Sequence, residues 1–140
     1  MSQPAQYLLD TNVISESLKK RANEDVIQFL QSTDPSALFL SVLTVGELHK
    51  GVAAKREKDA DGAARLAAWV AALELIYADR IIPIDSDIAS LWGEWSAQRS
   101  RPVIDTLLAA TAVAREMVLV TRNIRDIADL PVPTLNPWRE

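Results

Sequence analysis

The sequence predicts an α/β protein, with a central parallel β-sheet covered by helices on both faces. Three observations lead there. Short apolar runs, "YLL", "LFL", "RIIPI", "VLVT" and "PTLN", are separated by longer amphipathic stretches. The inner runs are apolar almost without interruption, as strands buried on both faces are. Strand-sized and helix-sized segments also alternate along the chain, which is the pattern of crossover connections between parallel strands.

The elements follow in order. After "YLL", a helical pattern covers about 12–18 and a second covers 24–33. "STDPSA" closes the second, because Pro35 has no amide hydrogen and restricts Asp34 to extended conformations. "LFL" then leads into a helix over 42–57. "KDADG" separates that helix from the Ala-rich stretch 61–78, which is built of strong helix formers. "RIIPI" is followed by a helix over 86–99 and another over 103–116, and "VLVT" by the proline-rich tail "LPVPTLNPWRE". That tail suits an edge strand and a docked terminus. The 140 residues fit one domain, 1–140.

Composition excludes several function classes. There is no cysteine, so disulfides and thiolate chemistry are ruled out. The one histidine, His49, leaves no room for a His-rich zinc site and reads as a packing or surface residue. The start, "MSQPAQYLLD", lacks the charge and apolar run of a signal peptide. No apolar run approaches the roughly 20 residues that span a bilayer. A cytoplasmic protein with no membrane contact is expected. A net charge of −4 argues against a protein that coats nucleic acid, but not against an enzyme with an acidic centre and a basic rim. Trp69, Trp92, Trp95 and Trp138 have no interleaved basic residues and read as core or subunit contacts rather than a base-stacking platform.

Three acids stand out. Asp10 sits just past the first strand, where ligands of open α/β sheets bind, or it caps the next helix. Asp105 lies in "VIDTLLAATAVA", a helix apolar on nearly every face. A carboxylate there needs a partner or a cation, unless it only compensates the helix dipole after Pro102. Glu47, in "SVLTVGELHKGV", points away from a stripe formed by Val42, Val45 and Val52. It is either a solvated residue paired with Lys50 or a site residue, with Gly46 and Gly51 permitting close packing or substrate approach. Thr121, Arg122 and Asn123 follow another strand and share the crevice with Asp10 if the two strands are neighbours.

"LLDTNVIS", "SVLTVGELHKGV", "VIDTLLAATA" and "LVTRNIRDI", in that order and with a closing "LNPW", resemble the motifs of PIN-domain ribonucleases. The likeness is strongest to the VapC-type toxins of bacterial toxin–antitoxin pairs, and it covers nearly the whole chain. It implies a three-layer fold with strand order 3-2-1-4-5. It matches Asp10, Glu47 and Asp105 to the family's acids and Asn123 to the fourth polar position. Asp126 becomes a substitute or outer group, and Thr11 and Thr121 supporting hydroxyls. Relatives often read Asp-Ala-Leu-Ile where this chain has "DTLL", and carry an aromatic residue at the position of Ile127.

Gathering three acids is repulsive, by about 4 kcal/mol for two charges ~4 Å apart at an effective dielectric of 20. A hard divalent ion, Mg²⁺ or Mn²⁺, relieves this and suits all-oxygen ligands. Asp10 and Asp105 are the expected direct ligands, with Glu47 acting through water. The expected reaction is hydrolysis of RNA by a metal-dependent endoribonuclease toxin that inhibits growth. The resemblance further implies 5′-phosphate and 3′-hydroxyl products, a homodimer and a VapB-type antitoxin. Candidate phosphate contacts are Lys50, Arg101 and Arg122, with Lys55, Arg56, Arg99, Arg125 and the cluster Lys19, Lys20 and Arg21 carrying the same ambiguity. Two rival readings stand beside it. An Asp-nucleophile phosphatase would need a second aspartate where Asn12 stands. A non-catalytic α/β binding module would use the acids as caps and salt bridges.

Overall fold

The computed structural model describes residues 4–139. Met1–Gln3 and Glu140, the ends of the expected domain, lie outside them. The strands are β1 (Tyr7–Leu9), β2 (Leu38–Ser41), β3 (Ile81–Ile82), β4 (Val118–Val120) and β5 (Thr134–Leu135). The helices are α1 (Thr11–Ser15), α2 (Glu24–Ser32), α3 (Val42–Arg56), α4 (Ala60–Ile76), α5 (Ser86–Gln98) and α6 (Val103–Ala114). The sheet runs β3-β2-β1-β4-β5, and every pairing is parallel.

Neighbouring side chains of a strand face opposite ways, so each central strand feeds two cores. Leu8 packs with Ile88, Trp95, Leu108 and Leu119 on the face covered by α5 and α6. Leu9 packs with Val13, Val26, Leu48, Val52 and Val70 on the face covered by α1 to α4. Both leucines are fully buried. Helix α6 is buried from Leu108 to Ala112, as its apolar sequence requires. Its threonines turn their hydroxyls inward along the helix: Thr106 donates to the Pro102 carbonyl at 2.6 Å and Thr111 to the Leu107 carbonyl at 2.8 Å. All four tryptophans belong to the two cores.

Two local expectations are corrected. The helix expected over 12–18 begins at Thr11 and tightens into a 3-10 turn at Glu16–Leu18. The buried face of α3 is Thr44, Leu48 and Val52, not the stripe Val42, Val45 and Val52. Val42 is 42% exposed. Ser41, fully buried, caps α3 by accepting the Leu43 amide at 3.0 Å, and this sets the phase that turns Thr44 inward.

Leu8→Ala empties space between two packed layers and is expected to cost about 2–5 kcal/mol in urea denaturation. Leu75→Ala, at a site 80% exposed, is expected to stay within about 0.5 kcal/mol. Equal losses for the two would contradict the core assigned here.

Candidate active site

The pairing Leu9↔Val120 brings the carboxyl ends of β1 and β4 together, and the Asp10 amide donates to the Val120 carbonyl at 2.9 Å. Asp10 leaves the strand with extended backbone and caps α1, its Oδ1 accepting the Thr11 amide at 2.7 Å. Its Oδ2 accepts the Thr121 hydroxyl at 2.8 Å. Thr121 Oγ1 in turn accepts the Asn123 amide at 3.1 Å, which fixes the direction in which it donates. Asp10 is only 6% exposed. Burial pushes its carboxyl above the ordinary range, the bonds from Thr121 and Thr11 oppose that, and the nearby Glu47 charge adds to it.

Glu47 is held from the other side of the crevice. Its Oε1 accepts the Thr11 hydroxyl at 2.6 Å, and Thr11 Oγ1 also lies 3.3 Å from the buried Thr44 Oγ1. Asp105, in the first turn of α6, is half-buried and accepts the Asn123 side-chain amide at 2.9 Å. The same Asn123 nitrogen donates to Asp126 at 3.0 Å. Burial raises the Asp105 carboxyl, as do the charges of Asp10, Asp126 and Glu47, while the Asn123 bond lowers it. The structure therefore brings Asp10, Glu47, Asp105, Asn123 and Asp126 to one crevice, with Thr11 and Thr121 beneath them. Among the described residues, no three His, Asp or Glu groups converge tightly enough to hold an ion unaided. The donor set is hard oxygen, which matches an ion that takes one or two carboxylates and keeps several waters.

The PIN domain family matches residues 7–132 of this chain. The chain belongs to the PIN domain family. It is similar to the VapC ribonuclease Y4jK of Sinorhizobium fredii, at 34% identity over 94% of this chain and 96% of that protein. It is similar to the toxin FitB of Neisseria gonorrhoeae, at 31% identity over 95% of this chain and 99% of that one. Among solved structures it resembles FitAcB from Neisseria gonorrhoeae, with a TM-score of 0.87 and 30% identity over 96% of this chain and 100% of the other. A toxin–antitoxin complex from Klebsiella pneumoniae shares the fold at a TM-score of 0.68 and 24% identity, over 96% and 100% of the two chains.

On this PIN domain the expected basic contacts separate. Lys50 is exposed and lines a groove with Val42, Leu43, Gly46, Glu47 and Ile104. It does not pair with Glu47, whose partner is Thr11. Gly46 and Gly51 face open space, so they serve no close packing among the described residues. Arg101 is not available to a phosphate. Its side chain is 1% exposed and donates to the Trp95 carbonyl, Asp129 and Gln98 at 2.8, 3.0 and 3.0 Å. Arg99 joins it on Asp129, and the two arginines hold that carboxyl well below the ordinary range. Arg122 is exposed, with its guanidinium 5.2 Å from the centre of the Trp138 ring. His49 is exposed and sits 3.1 Å from Glu74.

Sequence reading missed two groups. Thr44 supports Thr11, and its signal was only the Ser41 cap that rephases α3. Glu16 is 3% exposed and accepts the Asn23 amide at 2.8 Å, with Lys19 3.0 Å away. Its signal was an acid three residues after the apolar Val13, where α1 gives way to the 3-10 turn.

The two raised aspartates keep protons in the folded chain at pH values where the unfolded chain has lost them. Stability therefore falls as pH rises from about 3.9, the ordinary aspartate value, through their raised values. Asp105→Asn removes one of these contributions. Its stability relative to the natural chain is expected to grow across that window and then level off, read by urea denaturation at successive pH values. A difference that does not change with pH would contradict the electrostatics described.

Proposed function

We propose that this chain, acting as a single domain over 1–140, is a metal-dependent endoribonuclease and the toxin of a toxin–antitoxin pair. The observation that carries the reading is the crevice at the ends of β1 and β4. There a buried Asp10 faces Glu47 and Asp105, and among the described residues the hydrogen bonds to them come from neutral groups. The names of its relatives, a VapC ribonuclease and a toxin, support the same reading.

Asp10 and Asp105 would hold Mg²⁺ or Mn²⁺. Such an ion would offset the repulsion between the acids and supply Lewis-acid polarisation of a phosphoryl oxygen. The chain's own residues do the rest. Thr121 holds Asp10 Oδ2 in place, and Asn123 ties Asp105 to Asp126. Glu47, oriented by Thr11, accepts a proton from the attacking water. The water oxygen bonds to phosphorus while the bond to the 3′-oxygen breaks. That oxygen takes up a proton from solvent water and Glu47 returns its proton to solvent, leaving a 5′-phosphate and a 3′-hydroxyl. Asn123, at a position where relatives often carry Asp or Asn, is neutral, so it lowers the charge of the site and would hold a second ion less well. Of Lys50, Arg101 and Arg122, Lys50 beside Glu47 and Arg122 beside Asn123 are exposed enough to meet a phosphate.

A VapB-type antitoxin is the proposed partner, consistent with the fold shared with a toxin–antitoxin complex. A homodimer and a cytoplasmic location belong to the same proposal. Among the described residues no helix is long and apolar enough to cross a membrane.

Asp10→Asn and Asp105→Asn are expected to abolish RNA cleavage and growth inhibition with the circular dichroism spectrum retained. Glu47→Gln is expected to lower kcat by about 10²–10⁴-fold. Full cleavage by a folded Asp10→Asn/Asp105→Asn protein would overturn the assignment. Mg²⁺ or Mn²⁺ at a hundredfold its Kd is expected to stabilise the chain by about 2.7 kcal/mol. A melting curve unmoved by saturating ion would favour a binding module without catalysis.

A further inference from the structure

Lys20, Lys55 and Arg65 line one groove of about 600 Å³ together with Leu18, Gly62 and Leu66. We propose that this groove binds the backbone phosphates of a single RNA strand that runs on from the acid crevice, an inference that rests on the nuclease reading above.

Charge is the first reason. The chain carries a net −4, yet three cations and no acid line this groove. Among the described residues Lys20 and Arg65 form no salt bridge. Lys55 has only a remote one, 3.9 Å from Asp59 with both side chains about half exposed. Such a contact holds little energy. The arginines at 80, 99, 101 and 115, by contrast, are each tied to an aspartate.

The second reason is that Lys55 is guided. A Cβ on Gly62 would stand 2.2 Å from Asp59 Oδ2 and 2.6 Å from Lys55 Cε. The missing side chain leaves room for the capping Asp59 carboxylate and, beside it, for the lysine stem that crosses the start of α4. Gly62 is itself held there, its amide donating to Asp59 at 2.9 Å.

The third reason is continuity. The stretch from α1 into its 3-10 turn meets α3 at both ends. At one end Thr11 bonds Glu47, and at the other Leu18 and Lys20 share the groove with Lys55. Glu47 and Lys55 are eight residues apart on α3, a rise of about 12 Å. A strand whose scissile phosphate sits among the acids therefore meets these cations within a few nucleotides. Leu18, 44% exposed, and Leu66 give an apolar floor for sugars and unstacked bases, which a duplex does not offer. An acidic protein segment would satisfy the charge but has no reason to continue from the acid crevice.

The test compares the natural full-length chain with Lys20→Ala/Lys55→Ala/Arg65→Ala. Binding of a fluorescein-labelled single-stranded oligouridylate of about 12 nucleotides is followed by anisotropy, in EDTA, between about 50 and 200 mM salt. Each phosphate contact on a single strand adds about 0.7 to the slope of log affinity against log salt, so the slope is expected to become shallower by about 2. With divalent ion present, KM for a cleaved RNA of that length is expected to rise roughly tenfold at unchanged kcat. An unchanged slope and KM, in a variant that melts like the natural chain, would overturn the groove. So would loss of polyglutamate binding with the RNA slope unmoved, which would assign the groove to an acidic protein segment. A natural chain that cleaves no RNA would remove the nuclease reading, while the binding slope would still decide the groove.

Discussion

The structure turns on the pairing of β1 with β4. Asp10 and Thr121 are 111 residues apart in the chain, and only that pairing sets one's carboxylate against the other's hydroxyl. The strand order explains why a crevice opens there. From β1 the chain moves outward through β2 to β3 and then returns to the other side as β4 and β5. The connections leave β1 and β4 in opposite directions, so nothing fills the space beyond their carboxyl ends. Asp10 occupies that point, anchored by its own amide on Val120.

The chemistry of the crevice depends on which groups are used to hold the acids. Each of the four carboxylates accepts a hydrogen bond from a neutral side chain: Thr121 to Asp10, Thr11 to Glu47, and Asn123 to both Asp105 and Asp126. Among the described residues no lysine or arginine forms a salt bridge with any of them. Neutral donors fix the geometry without cancelling the charge. The raised Asp10 and Asp105 carboxyls record the result: burial and mutual repulsion outweigh the bonds that support the ionised form. A divalent cation relieves such a site, whereas a buried arginine would have quenched it.

Much of this was legible in the sequence, and what was not has a physical reason. The strands and helices follow from apolar periodicity, and all five strand candidates and six helical patterns correspond to elements of the fold. Asp105 stood out because a carboxylate in an otherwise apolar helix demands a partner. The phase of α3 was misread because Val42, Val45 and Val52 look like a stripe, while Ser41 caps the helix so that Thr44, a polar residue, is the one buried. Hydropathy cannot reveal a threonine that is buried for its hydroxyl. Arg101 was misread for a related reason. In sequence it stands beside Pro102 and close to Asp105, as a phosphate contact would. Its real partner, Asp129, lies 28 residues on.

That ion pair does more than bury a charge. Asn123 and Asp126 sit in the irregular segment after β4, whose only regular element is the short 3-10 turn Arg125–Ile127. Such a segment has little intrinsic rigidity. Arg101 spans the gap from the end of α5, at Trp95 and Gln98, to Asp129 at the far side of that turn. Arg99 adds bonds to Asp129 and to the Asp126 carbonyl. Ile127, 2% exposed, pins the turn into the core from beneath. The full charges are thus paired away from the crevice, where they fix the loop, and the loop then presents neutral Asn123 to the acids. This division lets one short segment be rigid while the crevice stays negative.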